Sequence, residues 1–269
     1  MLGDSDKVEF VGFPKIGSLG FDKETNTYLI NSEDDLIAFR DYVNDWMHDC
    51  QGFTFKLTKD IDLDGENWTP IGNGSHQFKG TFDGGNHKIS NLSITTGNNN
   101  YVGLFSRNYG TIKDVSLVNA NVSGRFYVGA FTGCNYGTIE NCAVEGSVSG
   151  EYYVGGIVGE NNEGTVKNSF AATTISGDRC VGAIVGNNKG TGSINLRKYP
   201  FIPAFLIEKY GIAKNTVNAK AIVVLSEAVG GLNHGINVSK FAVTMKQNNP
   251  KAICMYCSFF EPLVSFASF

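Results

Sequence analysis

Basic charge is scarce in this chain: 22 Lys and Arg stand against 26 Asp and Glu, a net charge of −4. That balance gives no electrostatic reason to expect a nucleic-acid or membrane-surface partner. Long apolar runs are missing too, with no stretch reaching the ~18 residues of a membrane span. The opening "MLGDSDKVEFVGF" lacks the charged start and apolar run of roughly 7–15 residues that mark a signal peptide. As written, the chain is therefore expected to be soluble and to carry no visible export signal. A mature or trimmed form would look the same.

Histidine is also sparse, with four at positions 48, 76, 87 and 234. They leave little for metals, and no His-Glu-x-x-His helix occurs. There is no Gly-x-Ser-x-Gly elbow and no phosphate-binding glycine loop. The six cysteines, at 50, 134, 142, 180, 254 and 257, are dispersed and form no small-scaffold disulfide framework. Cys254-Met-Tyr-Cys257 is a lone pair without the further ligands or the strand-helix context that zinc or redox chemistry needs. No cofactor is expected.

Glycine, by contrast, is plentiful: 33 residues in a chain that is 42% hydrophobic. That mixture fits many tight turns between short strands rather than disorder. The glycines also recur on a period. Val102, Val128, Val154 and Val181 each precede a glycine, at spacings of 26, 26 and 27 residues. An Asn-x-Gly marker ends at Gly110, Gly137, Gly164 and Gly190, and Ser-Gly recurs at Gly124, Gly150 and Gly177. Periods of this size indicate stacked repeats. The pieces are short, β-branched and aromatic, without the glycine-free runs that helical repeats require.

A cycle of about 26 residues fits three short strands and three corners. Each coil would then pair in parallel with the next, which is a parallel β-helix. Val102, Leu104, Ile112, Val115, Leu117 and Val122 are the expected inward set of one coil, with Lys113, Ser116, Asn119 and Asn121 outward. The segments "ISNLSI" (Ile89 to Ile94), "IKDVSL", "IENCAV" and "VKNSFA" share apolar-x-Asn/Asp-x-x-apolar. Simple alternation would put Ile112 and Val115 on opposite faces. A left-handed corner reconciles them, and Asn and Asp tolerate that conformation. Corners are therefore expected at Asn91, Asp114, Asn141 and Asn168, in one stack.

The units "YVGLFSRNYGTIKDVSLVNANVSG", "YVGAFTGCNYGTIENCAVEGSVSG" and "YVGGIVGENNEGTVKNSF" resemble the GLUG-motif repeats of bacterial surface and secreted proteins. "FKLTKDIDLDGENWTPIGNGSHQFKGTFDGGNHKISNLSI" looks like the lead-in to such repeats. The resemblance covers roughly residues 28 to 195. It implies an all-β solenoid, a right-handed parallel β-helix, and an extracellular or cell-surface location. It leaves activity open, because such repeats occur in adhesins, in autotransported proteins and in non-catalytic regions of secreted peptidases.

"NSEDDLIAFRDYVNDW" (Asn31 to Trp46) reads as an amphipathic helix, with Leu36, Phe39, Val43 and Trp46 on one face. Ser32 and Asp35 approximate a capping box. A solenoid end must be covered, so the helix is expected to cap the N-terminal side. Three regions follow: 1–50 with the capping helix, 51–195 as the β-helix, and an irregular C-terminal segment 196–269. The last loses the period and reads as a cap, a small domain or a non-native continuation, with a strand or helix at Ala219 to Val229.

Candidate chemistry is thin. Asp60, Asp62 and Asp64 before Gly65 open like a calcium loop, but Ile71 stands where the twelfth-position Glu belongs. Ile61 and Leu63 alternate with these acids, as in a half-exposed strand. Asp83, with His87 nearby, is the best local acid cluster for a polysaccharide lyase or hydrolase. Gly84-Gly85-Asn86, however, reads as a turn opened by Asp83. Tyr101, Tyr127 and Tyr153 hold one repeat position and Tyr109 and Tyr136 another. The first set reads as packing. The loop pair, Tyr109 and Tyr136, are candidate ligand contacts, for a glycan or an extracellular protein. The leading reading is a non-catalytic adhesion or ligand-presenting scaffold. Its rivals are a polysaccharide-acting enzyme and a passive spacer.

Overall fold

The computed structural model describes residues 14–45, 49–95, 97–195 and 228–229. Four sheets run along one axis, and the chain visits them in turn. The first holds eight strands: Gly20–Asp22, Thr27–Ile30, Thr54–Leu57, Thr81–Asp83, Thr111–Lys113, Thr138–Glu140, Thr165–Lys167 and Ser193–Asn195. Only its outermost pair is antiparallel. The second sheet stacks Ile61–Asp62, Lys88–Ser90, Ser116–Ser123, Ala143–Ser149, Phe170–Ser176 and the two-residue strand Ala228–Val229, with Ser93–Thr95 also on Ser116–Ser123. Asn100–Val102, Phe126–Gly129, Tyr152–Gly155 and Arg179–Gly182 form the third. Phe105–Asn108, Thr132–Asn135, Val158–Asn162 and Val185–Lys189 form the fourth. This is the parallel β-helix that the period demands.

Each complete coil has four strands, not the expected three. The extra reversal falls at the Val-Gly marker. Between Phe126–Gly129 and Thr132–Asn135 the chain turns within two residues. A Cβ on Gly129 would sit 2.6 Å from the carbonyl oxygen of Thr132, so no larger residue fits that bend.

Parallel pairing in register puts like over like. Tyr28, Phe55, Phe82, Ile112, Ile139, Val166 and Ile194 form one column. From Tyr28 to Val166 this column is buried. Leu117 lies beside Val144, and Val122 beside Val148 and then Ile175. Full burial of such a side chain is worth about 1.5–3 kcal/mol, so the axis is one continuous core. All six residues expected to face inward are buried, from Val102 to Val122.

Corners form at Asp114, Asn141 and Asn168, with φ of 53°, 53° and 51°. Nδ2 of Asn141 donates to Oδ1 of Asp114 at 2.8 Å. The expected fourth member, Asn91, has φ of 57° but stands in a different column. Lys88–Ser90 pairs with Ser116–Val118, which sets Asn91 beside Asn119. Between Asp83 and Lys88 the chain has four residues, against two between Lys113 and Ser116. The additional residues make the Gly84-Gly85-Asn86 turn, in which Oδ1 of Asp83 accepts the Gly85 N–H at 2.9 Å. Sequence similarity aligned "ISNLSI" with the wrong segment because that insertion lay upstream of it.

The helix runs Glu33–Asp45. Oγ of Ser32 accepts the Asp35 N–H at 3.1 Å, and the Asp35 carboxylate accepts the Asn31 N–H at 2.9 Å. Asp therefore does the work of Glu in the capping box, one residue further back. Leu36, Phe39 and Val43 are fully buried. The ring of Phe39 stacks on Phe55 at 4.1 Å and packs against Phe78 and Phe82 at 5.6 and 5.9 Å. An aromatic plug of this kind covers the core. Asn44 ties the helix end to the first coils, accepting the Gly72 N–H and donating to the Pro70 carbonyl. Trp46 lies outside the described residues. The first sheet starts before residue 51, since Thr27–Ile30 pairs in parallel with Thr54–Leu57. The C-terminal segment 196–269 also lies outside the description, except that Ala228–Val229 pairs with Ile175–Ser176. No helix among the described residues is long and apolar enough to cross a membrane.

Candidate functional site

Ile61 and Leu63 are buried, and Asp60, Asp62 and Asp64 are exposed on the opposite side. Protein donors already engage two of them. Oδ1 of Asp60 accepts the Lys88 N–H at 3.1 Å and faces Nδ1 of His87 at 3.2 Å. Oδ1 of Asp62 accepts from Nδ2 of Asn91 at 2.7 Å and from the Asp64 N–H at 3.1 Å. Among the described residues, no three His, Cys, Asp or Glu side chains gather closely enough to hold a metal ion. These carboxylates tie adjacent coils together.

Asp83 and His87 are not brought together either. His87 turns to Asp60, while Asp83 holds the turn and pairs with Nζ of Lys113 at 3.0 Å. That pair belongs to a column that alternates in sign along the first sheet: Lys56, Asp83, Lys113, Glu140 and Lys167. Glu140 and Lys167 close to 2.9 Å. The hydrogen bond from Lys113 to Asp83 raises the lysine pKa above its ordinary value. Opposite charges on neighbouring strands stabilise the stack, and a slipped register would set like charges together.

The tyrosines form two ladders. Tyr101 stacks on Tyr127 at 4.5 Å, and Tyr127 on Tyr153 at 4.9 Å. All three have φ near 60°, an uncommon conformation for an aromatic residue, repeated coil after coil. Tyr109 stacks on Tyr136 at 4.4 Å, and the next coil continues the ladder with Asn162, whose Nδ2 donates to the Tyr136 hydroxyl at 3.3 Å. Tyr109 is 36% exposed and the other four are half-buried. Neighbouring rings cover one another's faces, so the ladders present edges and hydroxyls rather than an open platform.

Sequence reasoning missed two columns. The first is internal: Asn108, Asn135 and Asn161 are fully buried. Nδ2 of Asn108 donates to Oδ1 of Asn135 at 2.8 Å, Asn135 donates to Asn161 at 2.8 Å, and Asn161 to Asn188 at 2.7 Å. Each Asn also donates to a loop carbonyl, of Gly110, Gly137, Gly164 or Gly192 in turn. The Asn-x-Gly marker was the visible signal. It misplaces the last two members, because Asn161 rather than Asn162 joins the stack, and Gly192 rather than Gly190 aligns. The second column is Arg107, Cys134, Glu160 and Asn187, adjacent to the tyrosines. No sequence pattern marks it, since four different residue types occupy one position.

Residues 124–149 match the GLUG motif. The matched stretch contains four strands, from Phe126–Gly129 to Ala143–Ser149, so one GLUG motif is one turn of the solenoid. A protein of Evansella cellulosilytica, provisionally named a Gly-rich membrane protein, is 32% identical over 155 residues, which is 52% of this chain and 16% of that one. Halomucin of Haloquadratum walsbyi is 37% identical over 102 residues, 33% of this chain and 1% of the relative. This chain thus corresponds to a small part of each. A crystal structure from Bacteroides ovatus, provisionally named an immunoglobulin A1 protease, aligns with a TM-score of 0.46 and 22% identity, over 63% of this chain and 64% of that one.

Proposed function

We propose that this GLUG β-helix is a non-catalytic scaffold displayed at a cell surface, which presents repeated contacts to a glycan or extracellular protein. The observation that carries this reading is the pair of tyrosine ladders, Tyr101-Tyr127-Tyr153 and Tyr109-Tyr136, repeated at the coil spacing. Repetition makes many weak contacts additive along one rigid axis. The naming of one relative as a membrane protein supports the surface placement. The acids that a hydrolase would use support the non-catalytic part, because Asp83 and Asp60 are committed to turns, ion pairs and coil-to-coil bonds. The test is a glycan and matrix-protein array probed with the full chain, beside an assay for polysaccharide breakdown. Specific retention without breakdown is the expected outcome. Reproducible depolymerisation that disappears in Asp83→Ala would establish the enzymatic rival instead, and an empty array would leave the passive spacer.

A further inference from the structure

The geometry points to one ligand class for one face: we propose that the strip built by Tyr101, Arg107, Tyr127, Tyr153 and Glu160 binds an extended, uncharged polysaccharide lying along the solenoid axis, about one sugar per coil. This rests on the ligand-presenting reading above and narrows it.

The strip is continuous. The Arg107 guanidinium lies over the Tyr101 ring at 4.0 Å. Cys134 follows Arg107 in its column, and Tyr136 of the second ladder stands two residues further along the same coil. Glu160 comes next, 8% exposed, with Oε2 accepting from Nδ2 of Asn187 at 2.9 Å. Among the described residues, its other oxygen accepts from the Cys134 thiol alone, at 3.9 Å. A thiol is a weak donor, which leaves that oxygen with accepting capacity. Nε of Arg107 is buried and has no hydrogen-bond partner among the described residues. A buried donor left unpaired is costly, and native structures keep such groups for a reason. Two polar side chains with spare capacity, two coils apart in one column, are what a hydroxyl-rich ligand would complete.

Charge and period select among ligands. One Arg stands against one Glu in the column, so nothing on it favours a polyanion. The coils repeat at about 4.8 Å, whereas an extended peptide advances only about 3.3 Å per residue. A peptide running along the axis would fall out of step within a few residues. A β-1,4-linked sugar backbone advances by about the length of one pyranose ring, close to the coil rise. Each sugar would then lie over one coil, with its hydroxyls facing a tyrosine phenol or a polar side chain of the column. The stacked rings offer edges and phenol groups to such a chain, which suits hydrogen bonding to hydroxyls better than stacking on ring faces.

The experiment is calorimetric titration of the full chain with a length series of cello- and chito-oligosaccharides. Affinity should rise with each added sugar from disaccharide to tetrasaccharide, because the column spans four coils. Tyr127→Phe, which keeps the stack and removes a hydroxyl, should weaken the tetrasaccharide roughly tenfold, as should Arg107→Gln, with unchanged circular dichroism. Equal affinity for disaccharide and tetrasaccharide would overturn the proposal, and so would indifference to both substitutions. Retention of an extracellular protein but of no oligosaccharide would leave the presenting role standing and sink this assignment. Retention of neither sinks both.

Discussion

Nδ2 of Asn119 donates to Oδ1 of Asn91 at 2.6 Å, and this bond records which coil lies beside which. Both residues have positive φ, 56° and 57°. Asn119 is also the additional residue of a bulge, where Leu117 pairs with Val144 but Ala120 with Gly146. Columns of like residues therefore exist wherever coil lengths agree, and shift where one coil gains a residue. The consequences for stability are testable column by column.

The buried Asn ladder should be the most sensitive polar feature. Asn135→Ala removes the donations to Asn161 and Gly137 and takes away the acceptor of one Asn108 donation. Leaving buried groups unpaired at this site should cost about 2–4 kcal/mol in urea unfolding. A change below about half a kcal/mol would show that water replaces the ladder freely.

Corner strain separates backbone from side chain. Asn141 sits at φ 53° and donates to Asp114. Asn141→Val should destabilise by about 1–2 kcal/mol through conformation alone, on top of the lost bond. Asn141→Gly loses only the bond, about 1 kcal/mol. Thermal melts of the two variants should therefore rank Gly above Val.

Alkaline pH should loosen the sign-alternating column. The lysine of the Lys113–Asp83 pair has its pKa raised from 10.5, first by the hydrogen bond to Asp83. A group whose pKa is higher folded than unfolded stabilises below the unfolded value, and that contribution disappears as pH climbs through the folded value. The stability difference between the parent and Asp83→Asn should thus be steady at neutral pH and shrink above about pH 10.5. A difference that persists unchanged at higher pH would assign the effect to the turn at Gly85 instead.

Thiol labelling should report the core directly. Cys50, Cys134 and Cys142 are buried, and Cys180 is exposed. Burial pushes Cys50 up to about 12 and Cys134 to about 11, so neither forms thiolate at neutral pH. Peptide mapping after a brief native pulse of iodoacetamide should find Cys180 modified and those three protected. Denaturant should expose all of them.

Reading the chain alone went far where repetition carries the signal. The spacing of Val-Gly and Asn-x-Gly dictates coils, and the apolar positions of one coil dictate its interior, because in-register parallel strands force equivalent residues into columns. The helix at Glu33–Asp45 was legible for the same local reasons, its cap and its apolar stripe. What folding decided were the places where a count, not a pattern, sets the outcome: the two residues inserted at the Gly84 turn that moved Asn91, the fourth strand created at Gly129, and the exchange of Asn162 for Asn161 in the ladder. The column of Arg107, Cys134, Glu160 and Asn187 was decided only there too. Four unlike side chains share no sequence signature, and only vertical stacking, which no single strand encodes, makes them one surface.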